Sequence, residues 1–429
     1  MLRTTLLMAV LMIFSSQIVS AQIQVPAERQ QGPIAITNVE IHTVSNGVIE
    51  NGTILFEDGV ITAVGQNVTI PAGTRRIAMQ GKQVYPGMIA SQNQMGLYEI
   101  GAVDMTVDLN EQGNINPNIR PEVAVNPESR HIGTARSSGV LVAVSTPGGG
   151  LISGQSSAMN LDGWSWEQML LESGVGLVIN WPSPNNENNY TRTLRSAKEY
   201  FATARAYHRA VEAAENGNAP RPEADSKLEA MGPFLTGERP VLINANEVRQ
   251  IQDAITWAVQ EGLKPVIVGG RDAHLVAGQL VEHDVPVMIT SVLTSPNRAW
   301  ESYDNGYTLP ARLHEAGVRI AITGGSSAPY AFRTRNEAGA AVAFGLSPLE
   351  AYKAVSLNPA QILGIDDRVG SIEPGKDATF IITDGFPLEY RTQIEQAFIQ
   401  GREIDMMDVH KQFYEKYKQK IDTWESASN

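Results

Sequence analysis

From Val84 to about Asp367 the chain alternates short apolar runs with longer segments of helical spacing, and this alternation most limits the folds open to it. The runs include Val140-Leu141-Val142-Ala143-Val144, Val241-Leu242-Ile243, Pro265-Val266-Ile267-Val268, Pro286-Val287-Met288-Ile289 and Val318-Arg319-Ile320-Ala321-Ile322. Between them Val248 to Gln260, Leu275 to Glu282 and Thr308 to Ala316 repeat apolar residues at helical intervals. A run apolar at successive positions suits a strand covered on both faces, and an intervening helix returns the chain for a parallel neighbour. The expected class is therefore α/β. A span of this length fits eight strand–helix units closed into a TIM-type (β/α)8 barrel, with its site at the strands' carboxyl ends. A doubly wound open sheet satisfies the same pattern.

The two ends of the sequence read differently. Residues 34–84 carry short β-rich runs, and Glu57-Asp58-Gly59 between two of them is an Asp-Gly hairpin signal. Short strands return within 369–404, which predicts one small domain assembled from both ends beside a barrel over 85–368. The tail, 405–429, reads as a charged helix that packs on the surface through Val409, Phe413, Tyr417 and Ile421.

At the start, Arg3, the apolar run Leu6 to Phe14 and the small residues Val19-Ser20-Ala21 have the order of an export signal cleaved after Ala21. The run is shorter than the roughly 20 residues that span a bilayer. The expectation is an exported, periplasmic protein without a membrane span. The chain of 429 residues has no cysteine, which excludes disulfides, thiolate catalysis and sulfur-ligated zinc. Its net charge of -13, with no long Lys/Arg run, argues against nucleic acid and anionic lipid. A small molecule or another protein is the expected partner.

Several segments resemble the amidohydrolase superfamily, especially its imidazolonepropionase-like branch. They are Gly59-Val60-Ile61-Thr62-Ala63-Val64-Gly65, Val84-Tyr85-Pro86-Gly87-Met88-Ile89, Asn358-Pro359-Ala360, Leu363-Gly364-Ile365 and Val369-Gly370-Ser371-Ile372-Glu373-Pro374-Gly375-Lys376-Asp377-Ala378. The resemblance implies a distorted barrel with a composite β-sandwich, and hydrolysis of carbon–nitrogen bonds other than peptide bonds. It also implies one or two divalent metals, held first by two histidines one residue apart after the Pro-Gly turn. Here Ala90 stands for the usual Asp, and Gln92 and Gln94 stand for the histidines. Asn244 takes the fifth-strand histidine's place, no histidine lies near Val268-Gly269-Gly270, and Gly325 stands for the eighth-strand Asp. A neutral amide oxygen is a weak donor for zinc. The expectation is therefore no cofactor and no metal ligand.

Other candidates are Asp272 and His274, spaced to form a ligand pair, although Asp272 as a helix cap with His274 on that helix is the favoured reading. His131, His208, His283 and His314 read as surface or capping residues, and His42 and His410 lie outside the barrel. Arg333 and Arg335 follow the eighth strand and could pair with a carboxylate, as could Arg130 and Arg136. Pro147 to Ser157, glycine- and hydroxyl-rich, reads as a connecting loop before an anion cradle, and Trp164 and Trp166 as core residues before a pocket wall. Ser326 and Ser327 lack a histidine partner for nucleophilic catalysis. Two functions remain open: an amidohydrolase acting on a cyclic or small amide, or a pseudoenzyme that binds a small polar ligand or pairs with an active relative.

Overall fold

The computed structural model describes residues 25–428, so the expected export signal lies outside the described residues. Five strands come first: β1 (Ile34–His42), β2 (Val48–Glu57), β3 (Val60–Gly65), β4 (Arg75–Ala78) and β5 (Gln83–Pro86). Three come last: β14 (Phe380–Thr383), β15 (Ile394–Ile399) and β16 (Arg402–Ile404). Together they form one sheet in the order β16-β15-β14-β5-β1-β2-β3, with β4 also pairing β1. The β2–β3 turn is the expected hairpin, Asp58 and Gly59 taking φ of 52° and 82°. Positive φ at both central residues is what a tight right-twisted hairpin needs.

This sheet rolls on itself. β2 and β15 stand four steps apart, about 19 Å in a flat sheet at ordinary strand spacing. Yet Phe56 on β2 meets Phe398 on β15 edge-on at 5.3 Å and Phe380 on β14 at 5.5 Å. One rolled sheet around an apolar core, rather than two stacked sheets, is what is seen. All three rings are fully buried. Phe56→Ala should therefore cost about 3–5 kcal/mol, read as a lowered urea midpoint.

The second sheet has eight strands in chain order: β6 (Met88–Asn93), β7 (Val140–Ser145), β8 (Ile152–Asn160), β9 (Leu170–Asn180), β10 (Val241–Ala245), β11 (Pro265–Gly269), β12 (Val287–Ile289) and β13 (Ile320–Ile322). The outer strands β6 and β13 come together without a ladder, so the barrel is nearly closed; Asn93 Nδ2 reaches the Gly325 carbonyl at 2.9 Å.

One strand departs from the expected repeat. β8 runs antiparallel to both β7 and β9, while the other neighbours are parallel. The reason lies in the link Thr146–Leu151, far shorter than the dozen or more residues a parallel crossover needs. The glycine-rich segment read as a loop is thus half hairpin link and half strand.

The barrel interior is plugged by Ile89, Val142, Val144, Ala158, Leu242, Val266, Val268, Met288 and Ala321. Ala360, Ile362 and Leu363, on the helix Leu357–Leu363, join the same cluster.

The tail helix Val409–Ser428 differs from expectation. Its start is tied to the barrel by Asp408, which accepts from Ser137 Oγ. Beyond that turn Phe413, Tyr417 and Ile421 are more than half exposed, so the apolar stripe faces outward instead of packing. Among the described residues no helix is long and apolar enough to cross a membrane.

Candidate functional site

Side chains two apart on a strand share a face, so the interior plug predicts which residues line the layer above it. Asn244 follows Leu242, Thr146 follows Val144, Thr290 follows Met288, and Thr323 follows Ala321. On β6 the alternation is reset. The pairing jumps from Ala90 opposite Ala143 to Asn93 opposite Ser145, a bulge at Ser91-Gln92. Such a bulge re-aims side chains. The carboxyl ends of these strands therefore converge as amides and hydroxyls, with no charged group among them.

Hydrogen bonds tie part of this layer together. Asn244 Nδ2 donates to Asn180 Oδ1 at 2.7 Å, and Asn180 Nδ2 donates to the Gly150 carbonyl at 2.8 Å and Ser153 Oγ at 2.9 Å. Thr146 and Ser156 hydroxyls lie 3.2 Å apart. In the glycine-rich link the Gly148 and Leu151 amides are taken by the carbonyls of Leu109 and Asn114, each at 2.7 Å.

Other atoms in the layer are buried without a partner: Ser91 Oγ, Gln92 Oε1, Asn93 Oδ1 and Thr323 Oγ1. A buried polar group without a hydrogen bond costs about 1–3 kcal/mol, so a ligand with donors gains by filling such positions. Gln92 is 8% exposed, and its Oε1 has no hydrogen-bond partner among the described residues.

The eighth-strand end is shaped by two glycines. Gly325 has φ of 109°, a conformation costly for any residue with a side chain. A Cβ at Gly324 would lie 2.4 Å from the Tyr330 carbonyl oxygen and 2.6 Å from the Thr334 nitrogen. An aspartate at 324 would have to move segment 328–334, and one at 325 would have to hold a left-handed backbone. Gly324→Ala should thus cost about 1–3 kcal/mol from overpacking, checked by thermal denaturation.

The remaining candidates are placed apart. Asp272 does not cap the short helix that starts beside it; its oxygens take two bonds from Arg298, at 2.9 and 2.8 Å, and one from the Val248 amide at the start of the helix Val248–Gln260. Burial pushes its carboxyl up, but the Arg298 bonds outweigh this and hold it below its usual range. His274 is half-buried with Nδ1 unpartnered, and burial with Arg312 nearby lowers its pKa. The two therefore do not form a ligand pair. Arg333 pairs with Glu337 at 3.0 Å and stacks over Tyr330. Arg335 donates to the carbonyls of Glu389 and Thr392, at 2.7 and 3.1 Å, and so serves the 389–392 turn rather than a ligand. Arg136 is buried against Asp162 at 2.8 Å. Trp164 is 66% exposed and not in the core, whereas Trp166 packs against it. Among the described residues no three His, Cys, Asp or Glu side chains come together as a metal cluster.

Groups around the mouth that sequence reasoning missed include Asn180, Thr323 and Glu337. Glu337, 1% exposed, accepts from the Val292 and Leu293 amides at 2.6 and 2.7 Å and holds the chain leaving β12. Glu122 holds the long segment after β6 onto the barrel wall. Fully buried, it accepts from Ser157 Oγ at 2.6 Å, Ser173 Oγ at 2.7 Å and Arg120 Nε at 2.7 Å. Burial pushes its carboxyl up, yet these donors outweigh burial and keep it below the usual glutamate range. A depressed folded pKa contributes stability above the unfolded value and loses it as pH falls through the folded one. Hydrogen exchange should show segment 96–125 losing protection below the ordinary glutamate range; in Glu122→Gln that acid-dependent step should shrink.

Comparison with known proteins agrees with the fold. A model of the amidohydrolase family matches residues 252–409. The crystal structure of an amidohydrolase from Thermotoga maritima MSB8 superposes with a TM-score of 0.76 at 25% identity, covering 87% of this chain and 99% of that one. N-acetylgalactosamine-6-phosphate deacetylase of Escherichia coli O157:H7 is 32% identical over 116 residues, 26% of this chain and 29% of its own length. A second Escherichia coli protein, from strain K12 and provisionally assigned the same activity, is 32% identical over 116 residues, 65% of its length. The chain thus spans less than two thirds of either curated relative.

Proposed function

The chain belongs to the amidohydrolase superfamily, and from that premise we propose that it hydrolyses a carbon–nitrogen bond. The substrate is a cyclic or small amide, N-acyl amines included, held where strands β6 to β13 converge. The observation that carries this reading is the likeness to an amidohydrolase over 87% of the chain, with a TM-score of 0.76. The deacetylase relatives add an N-acyl bond as the kind to try first.

The expectation of no cofactor does not stand. Members of this family, the deacetylase relatives among them, normally depend on a divalent metal, so metal must be supplied in any assay. The residues at the strand ends nevertheless do not fit the family's donor set. Gln92, Gln94 and Asn244 offer neutral amides, and Gly325 offers no side chain.

What the chain's own residues do is recognise an amide. The Gln92 side chain carries both a donor and an acceptor, matching the C=O and N–H of a substrate amide. Its Oε1 is buried and unsatisfied, hence ready to take the substrate N–H. A donor aimed at the developing oxyanion lowers the barrel-held amide's barrier to attack. Asn180 fixes the Asn244 amide, so its orientation is set before substrate arrives.

The neutral lining favours one second reading: a barrel that binds an uncharged polar ligand without turning it over, alone or beside an active relative. A panel of N-acyl amines, lactams and small amides, each assayed for amine release with zinc, manganese and iron(II) added, separates the two. Release above the blank supports hydrolysis. Saturable binding with no release from any member supports the binding barrel and overturns the hydrolase.

A further inference from the structure

Beside the mouth, at the carboxyl ends of β10, β11 and β12, lies a cavity of about 200 Å³ lined by Asn246, Gly269, Arg271, Thr290, Ser291 and Ser295, among others. It adjoins the layer described above, since the Thr290 carbonyl oxygen lies 3.9 Å from a Cβ placed on Gly325. We propose that this cavity is an anion subsite in which Arg271 binds a carboxylate or phosphate group of the substrate. This deepens the hydrolase reading and rests on it for the word substrate.

Arg271 is the cation here whose donors are not spent. Its Nε is buried with no hydrogen bond, and its side chain is 26% exposed. The nearest carboxylates are Asp272 at 3.5 Å and Glu247 at 3.9 Å. Both are committed elsewhere. Asp272 is held bidentately by Arg298, and Glu247 forms the capping box of the helix Val248–Gln260.

Glu301 also lines the cavity, but it accepts from the Asn297 amide at 2.7 Å, the Arg298 amide at 3.3 Å and Arg298 Nη1 at 3.1 Å. Arg312 reaches Asn305, another lining residue, at 3.3 Å. The surrounding charges therefore balance: Arg271, Arg298 and Arg312 against Asp272, Glu247 and Glu301. The imbalance is in hydrogen bonding. Arg271, with its Nε unpartnered, lines the space together with the hydroxyl residues Thr290, Ser291 and Ser295. A carboxylate or phosphate offers the planar or tripodal acceptors a guanidinium fork takes up.

The test measures binding, not turnover, so it stands even if no hydrolysis is found. Inorganic phosphate and acetate would each be titrated calorimetrically into the full-length protein, and into Arg271→Met and Arg271→Lys variants. At least one anion should bind wild type saturably, and Arg271→Met should weaken it by about tenfold or more. Arg271→Lys, which keeps the charge without the fork, should fall between. The ratio of phosphate to acetate affinity tells which group the subsite takes. Equal affinity in wild type and Arg271→Met, or no binding of either anion to wild type, overturns the proposal. Ser291→Ala, a milder change, should weaken the same anion and guards against misfolding of the arginine variants; no change in it would count against the cavity.

Discussion

Asp162→Ala should destabilise the protein by about 3–5 kcal/mol, the cost of removing one partner from a buried ion group. Asp162 side-chain exposure is 1%, and it pairs with Arg136 at 2.8 Å and Arg402 at 2.7 Å. Arg136 sits on the helix Arg130–Ser137 beside the barrel, and Arg402 on β16 of the rolled sheet. The carboxylate therefore joins the two sheets, and it also receives the Ala27 amide. Burial pushes the Asp162 carboxyl up despite both arginines, and burial lowers the Arg136 pKa. Those directions say that the charges are expensive to hold there. The predicted loss thus measures the removal of the Asp162 carboxylate from two arginines, not the net worth of the cluster. Replacing all three, as Asp162→Leu with Arg136→Met and Arg402→Met, should recover most of the stability. Urea denaturation at neutral pH checks both halves. A single variant as stable as wild type would mean the arginines find water.

Gln92→Leu should lower kcat/KM for the best N-acyl substrate about 100-fold, the scale of losing one donor to a developing oxyanion. Leucine is close in volume and leaves no buried unsatisfied oxygen, so stability should hold or rise slightly. That pairing of lost turnover with kept stability is the signature of a residue spent on ligand. Gln92→Glu is the informative companion. It keeps the acceptor but removes the donor and adds charge to a neutral layer, so it should also lose turnover. If Gln92→Leu keeps full activity, recognition of the amide belongs elsewhere in the layer, with Asn244 the next group to change.

The two sequences of short strands at the chain ends, and the alternation between them, are visible because burial on both faces writes itself as apolar runs. β10 to β13 are such runs. β8 is not: Ile152-Ser153-Gly154-Gln155-Ser156-Ser157 has the composition of a loop, and only the shortness of the preceding link explains its direction. The rolling of the small sheet was also invisible, because Phe56 and Phe398 are 342 positions apart and no local period connects them. At the site, Gln92, Gln94, Asn244 and Gly325 came from the resemblance and not from any pattern of their own. Asn180 could have been found by the same strand-end rule, since it ends the run Val175 to Ile179. Arg271 could not. Its standing rests on Asp272 being taken by Arg298, a contact spanning 26 positions.

The most direct test of carbon–nitrogen hydrolysis is product stoichiometry in oxygen-18 water, with an N-acyl amine as substrate and divalent metal supplied. Hydrolysis of that bond yields one amine for each carboxylic acid, with one labelled oxygen in the acid. Amine and labelled acid in equal amounts, lost together in Gln92→Leu, is the predicted result. Intact substrate under every metal, or products from another bond, would contradict it.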